Sequence, residues 1–210
     1  IMLALIISAS TLMSQTKERT NAFMYNKNGQ YDKAREAIDK AAQNEKTIND
    51  PKTWMYRGII YLNIVFSEQF SNLDTLALEK SLESFKKTLE LDPEDKARQS
   101  DDIKPRIDAI GQQYFAIGVE AFNNQDFEQA TLDFKKAFDV AKLNNKVDTL
   151  ALLNAGLASL RGEKFNDAIG YYNQLLDLGF IEPDVYRSLA ASYRGLQQNE
   201  EMLLALNKGR

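Results

Sequence analysis

One pattern of apolar and polar positions returns several times along the chain. It ends as Gln30-Tyr31-Asp32-Lys33-Ala34, as Asp126-Phe127-Glu128-Gln129-Ala130 and as Lys164-Phe165-Asn166-Asp167-Ala168. Each time an aromatic residue stands three before an alanine. A large apolar or aromatic residue follows four after it (Ile38, Phe134, Tyr172), and three further on comes Ala41, Ala137 or Leu175. Steps of three and four place these side chains on one face of a helix. A second phrase runs about one helix earlier, with a small residue twelve before the alanine: Ala22, Gly118 and Gly156. Antiparallel helices that cross closely need Gly or Ala at the contact, with large side chains of the partner filling the space around it. The pattern predicts helical hairpins repeated along the chain, each burying its apolar face against its neighbours.

Trp54, Gly58 and Tyr61 extend the pattern, followed by Ser81 in the alanine's place, Phe85 and Leu89-Glu90-Leu91-Asp92-Pro93. The proline closes a second helix. In these residues the chain resembles the tetratricopeptide repeat (TPR) family, and in particular exported bacterial TPR proteins. The resemblance implies an all-α fold, an α-α superhelix or TPR solenoid of about four and a half helical hairpins. They fall at Thr16 to Asn44, Pro51 to Pro93, Pro105 to Leu143, Asp148 to Gly179 and from Pro183 onward, the last with Tyr186, Ala190, Tyr193 and Met202 in the repeat positions. From Ala34 through Ser81, Ala130 and Ala168 to Met202 the steps are 47, 49, 38 and 34 residues, and only the last has the family's usual length. The first excess falls in Asn63 to Lys80. The second falls in Glu94 to Ile110, where the polar stretch Asp95 to Lys104 reads as a linker whose helix restarts at Pro105. The expected organisation is a leader at 1–14, hairpins one and two in 15–93, a linker and helix start at 94–110, and hairpins three to five in 111–210. The last helix reaches Arg210 without a closing proline or polar cap, so further chain is expected there.

The first residues break the amphipathic pattern. Ile1 to Met13 is apolar with small residues toward its end, then Ser14-Gln15 and the charged stretch 16–20. This reads as the apolar region of a signal peptide short of its charged start, cleaved after Ser10 or Ser14. It is too short for a finished membrane anchor, so no stable span is expected after cleavage. The other reading is an apolar first helix. Export places the protein in the periplasm or elsewhere in a bacterial cell envelope.

Composition then narrows the chemistry. There is no histidine and no cysteine among 210 residues. The usual general base, the Ser-His and Cys-His pairs, disulfides and zinc-thiolate sites are therefore excluded. A formal charge of −4, without a Lys/Arg-rich run, argues against nucleic acid. Ser84 and Lys87 have the Ser-x-x-Lys spacing of a nucleophile pair, but they lie within a regular second helix with no partner constellation. Asp101-Asp102 and Glu200-Glu201 read as solvated charges without calcium-loop spacing. No catalytic, cofactor or metal residue is assigned, and the chain reads as a non-enzyme.

The remaining candidate is the concave groove that the resemblance implies, lined by first-helix positions facing away from the second helix. The family register places Phe23, Asn26, Met55, Ile59, Leu62, Asn63, Phe115, Val119, Phe122, Asn123, Leu153, Leu157, Leu160 and Arg161 there. The groove is apolar with amides along it. The basic clamp of some family members is not supported, since its positions hold Arg19, Phe23, Tyr56 and Ala116. Such a surface binds a protein or peptide segment; alternatively residues 64–78, or chain beyond Arg210, fill it from within. The expected function is a protein-protein interaction scaffold or adaptor of the envelope. The alternatives are the helical part of a larger exported enzyme or nutrient-binding protein, and, compatibly with either, self-association through open solenoid ends.

Overall fold

The computed structural model describes residues 17–92, 94, 96 and 102–210. The leader expected at 1–14 lies outside them. Among the described residues there are ten α-helices and no strand. The helix α1 covers 17–27. It is followed by α2 Tyr31–Ala42, α3 Pro51–Val65, α4 Ala77–Glu90, α5 Lys104–Asn123, α6 Phe127–Leu143, α7 Thr149–Arg161, α8 Phe165–Asp177, α9 Pro183–Gly195 and α10 Asn199–Lys208. Helix starts follow local chemistry. Asp50 accepts the Lys52 backbone N–H ahead of Pro51, and Asp126 and Asp148 accept those of Gln129 and Ala151. The chain divides into two compact units, 1–107 and 108–210.

In both units the crossing predicted from the small and large residues is the packing contact. A Cβ placed on Gly58 would lie 3.0 Å from the Phe85 ring, one on Gly118 2.9 Å from Phe134, and one on Gly156 2.8 Å from Tyr172. These rings are fully buried. The glycines are required by approach, since any side chain would push the helices apart. In the first hairpin Ala22 and Ile38 take the same places in a core with Ala34, Ala37, Ala41, Ile60, Tyr61 and Ile64. The core of the second unit joins Ala130 and Phe134 to Ala155 and Ala158 of the next hairpin, with Phe115, Phe122 and Tyr171 packed against it. Hairpins also lock to their successors: a Cβ on Gly162 would stand 3.1 Å from Phe127, and one on Gly195 would overlap the Phe165 ring.

The turn inside four of the hairpins is the same object. Gly29, Gln125, Glu163 and Gln197 all adopt left-handed backbone, with φ of 71°, 63°, 58° and 61°. The next residue then donates its N–H to the carbonyl five back: Gln30 to Tyr25, Asp126 to Ala121, Lys164 to Ser159 and Gln198 to Tyr193, at 2.8 to 2.9 Å. This helix ending satisfies carbonyls that the helix leaves open.

The second hairpin departs from this. Between Val65 and Ala77 runs an irregular connection with one short 3₁₀ turn at Ser71–Leu73. Its apolar residues go to α2 and the first unit's core: Phe70 meets Tyr31 edge-on at 5.6 Å and Leu73 packs on the core cluster, while Phe66 and Leu76 stay exposed. Polar contacts fix it further. Arg35 donates to the Leu73 carbonyl at 3.0 Å, and Lys80 donates to Asp74 at 2.6 Å. Beside it Asp39 accepts from Arg57 Nε at 2.9 Å and from the Tyr61 hydroxyl at 2.7 Å, and Arg57 continues to the Ser84 hydroxyl at 2.7 Å. Burial pushes the Tyr61 phenol up, and the hydrogen bond to Asp39 adds to this. Asp74 is held below the ordinary aspartate value; burial works the other way, but the Lys80 and Leu76 hydrogen bonds and the charges of Lys80 and Arg35 outweigh it.

Candidate functional site

The first helix of each hairpin carries its candidate residues in one register, three before and one, four and five after the small crossing residue. In the first unit this gives Phe23 and Asn26 on α1, and Met55, Ile59, Leu62 and Asn63 on α3. The two helices meet there: Asn63 Nδ2 donates to Asn26 Oδ1 at 2.9 Å, and Phe23 packs on Tyr56 with ring centroids 5.4 Å apart. Phe23 is 43% exposed, and Met55 and Ile59 are half-buried. Leu62 is a correction. It is only 4% exposed, because α3 is packed by α2, by α4 and by the Ser71–Leu73 turn, which bury Ile60, Tyr61, Leu62 and Ile64 together.

In the second unit Phe115, Val119, Phe122 and Asn123 lie on α5, and Leu153, Leu157, Leu160 and Arg161 on α7. Phe115 and Phe122 are half-buried because each leans on a ring of α6, Phe134 at 5.2 Å and Phe127 at 5.3 Å. Val119 is 39% exposed and Asn123 is exposed. The three leucines of α7 are half-buried and Arg161 is exposed.

A groove of about 680 Å³ opens between α7 and α9. The half-buried Leu157, Leu160, Phe165 and Ala191 form its floor, and the exposed Arg161, Arg187 and Arg194 stand at its rim with Glu163, Asp184 and Gly195. The residues expected from sequence end at the fourth hairpin and leave out the contribution of α9. The signal was present: counted from Ala190, the register that selects Leu153, Leu157, Leu160 and Arg161 selects Arg187, Ala191, Arg194 and Gly195.

The arrangement offers shape, apolar surface and guanidinium groups, and little else. Ser84 is buried, donates to the Lys80 carbonyl at 2.5 Å and accepts from Arg57, while Lys87 pairs with Glu90 at 3.0 Å. The Ser-x-x-Lys spacing is thus occupied by packing contacts. Burial pushes the Tyr172 phenol up to about 12, which keeps it protonated under a crossing glycine. Among the described residues no group of three acidic side chains could hold a metal ion, and no helix is long and apolar enough to cross a membrane.

No protein-family model matches the sequence, and no curated protein matches it significantly. Solved structures of MamA are similar in course. One is 19% identical over 93% of this chain and 89% of its own, with a TM-score of 0.42. A second, designated MSR-1, is 20% identical over 94% and 95% with a TM-score of 0.41, and a third is 20% identical over 90% and 91% with 0.42. Likeness at this level says nothing of partner or location. The all-α repeat of helical hairpins rests on the crossings and turns of this chain itself.

Proposed function

We propose that the chain is a non-catalytic scaffold of the bacterial envelope that holds a segment of another protein against the first-helix faces of its hairpins. One observation carries this reading. The first helices bury their crossing residues completely, yet keep large apolar side chains half exposed at fixed register: Met55 and Ile59 in one unit, Phe115, Val119, Leu157 and Leu160 in the other. Surface leucines scattered singly need no partner, but a repeated apolar register on one helix face is the form a recognition surface takes. Affinity would come from removing water from these side chains, while the amides within each unit, Asn26 and Asn63 in the first and Asn123 in the second, set the register of a segment bound to that unit. Envelope placement rests on the apolar segment Ile1 to Met13, and N-terminal sequencing of exported protein tests it: an intact Ile1 contradicts cleavage.

The binding face is tested by placing a photo-crosslinking amino acid at Val119 or at Leu132, an exposed second-helix residue of the same hairpin. Partner adducts from position 119 and none from 132 are expected. Equal labelling from both removes the first-helix face as the site.

A further inference from the structure

We infer that the groove between α7 and α9 selects a segment of a partner protein in which acidic side chains flank a large apolar one. This deepens the scaffold reading and rests on it. The second unit has four arginines, at 161, 187, 194 and 210, and three of them surround this groove in a chain whose formal charge is −4. Placement at a helix end accounts for Arg161 and Arg194 singly, since a cation there complements the helix dipole. It does not account for Arg187, which sits mid-helix, or for the convergence of all three on one apolar floor.

The charges are unevenly satisfied. Arg187 is paired with Asp184 one turn earlier, whereas neither Arg161 nor Arg194 has an acidic partner among the described residues. Arg187 and Arg194 lie two turns apart on one face of α9, about 10 Å along the axis. With Arg161 on α7, the rim draws its guanidinium groups from three separate backbone positions, which suits several side-chain carboxylates spread along a segment. Guanidinium forks bind carboxylates through paired hydrogen bonds and lose little on partial desolvation, which makes them the right cation beside Leu157, Leu160 and Ala191. An acidic segment also approaches this rim with a rate advantage that salt removes.

The test uses the full chain and fluorescein-labelled short peptides of fixed leucine content, in which glutamine is replaced stepwise by glutamate, each made with a free and an amidated C-terminus. The glutamate-rich peptide is expected to bind at least about tenfold more tightly than the glutamine peptide at low salt. The preference should vanish at high salt and in the R161E/R194E variant, whose melting should match the parent because both residues are exposed. Should that variant not fold, the salt series on the parent protein decides. Equal binding of glutamine and glutamate peptides overturns this inference and leaves the scaffold reading standing. Binding of no peptide at all counts against both. Loss of binding on amidation overturns the side-chain assignment in favour of a terminal carboxylate. A homodimer by light scattering that R161E/R194E abolishes would overturn it in favour of a second copy of the chain.

Discussion

The hairpins of both units are built on one crossing, but the second hairpin of the first unit is connected by a different means from all the rest. In the second unit every hairpin turns through a left-handed residue and a hydrogen bond to the carbonyl five back, and little else is needed to set the geometry. In the first unit the second hairpin has an eleven-residue connection between Val65 and Ala77, held by Phe70, Leu73, Arg35, Asp74 and Lys80. Yet Gly58 approaches Phe85 as closely as Gly118 approaches Phe134, to within 0.1 Å. The crossing therefore fixes the hairpin, and the connection is free to vary so long as its polar groups are satisfied elsewhere.

The largest effect expected follows from the crossing. Phe85→Ala and Phe134→Ala should each cost about 4 kcal/mol, the range for emptying a buried phenylalanine site, as read by urea denaturation. Equal losses sharpen the comparison; a small loss at Phe85 alone would mean that the long connection, and not the crossing, holds the second hairpin. Next in size is the charged network peculiar to the first unit. Asp39→Ala leaves the Tyr61 hydroxyl without its acceptor and the Arg57 guanidinium, 13% exposed, without its carboxylate partner, with only the Ser84 hydroxyl and the Lys80 carbonyl to receive it, and should cost about 2 kcal/mol.

Smaller, and confined to the regular turns, is the backbone term. Gln125→Gly, Glu163→Gly and Gln197→Gly should each stabilise by about 1 kcal/mol, because only glycine takes positive φ without penalty; Gly29→Ala should lose a similar amount. Thermal melts of the single and combined variants check this, and the gains should add because the turns close on different carbonyls, those of Ala121, Ser159 and Tyr193. The smallest effect concerns acid. Asp74 has its pKa lowered in the fold, so its contribution is present above the ordinary aspartate value of 3.8 and is lost as pH falls through the folded value. Asp74→Asn should flatten the acid limb of the stability curve without changing its shape near neutrality.

Much of the fold was legible because its determinants are pairs of residue sizes at helical spacing. Gly118 with Phe134 and Gly156 with Tyr172 can be read from a sequence, since a missing side chain and a ring sixteen residues apart fit together when two helices of a hairpin cross closely. Three of the turns were not legible: Gln125, Glu163 and Gln197 adopt the left-handed conformation of Gly29, yet neither glutamine nor glutamate is a residue type that favours it. Of the candidate surface, the register names Met55, Ile59, Val119 and Leu157, which the fold leaves half-buried or exposed, and Asn26 and Asn63, which hydrogen-bond to each other at 2.9 Å. Leu62 was misplaced because helical spacing alone does not show how many neighbours surround α3. Arg187 and Arg194 were missed as groove residues because the fifth hairpin has arginine, alanine and arginine where the second, third and fourth have Met, Ile, Leu, Phe or Val, so hydrophobicity does not mark the register there although the spacing from Ala190 does.

The most direct test of the account places charge on the first-helix face where it costs the fold least. Val119 and Asn123 are both exposed, one turn apart on α5. The V119E/N123E variant should melt within a few degrees of the parent, since exposed substitutions usually change stability by less than about 0.5 kcal/mol. It should also lose the partner adducts obtained by crosslinking from the neighbouring first-helix position Phe115. Retained capture with unchanged melting would contradict the binding face, and unfolding would show that these residues belong to a buried core.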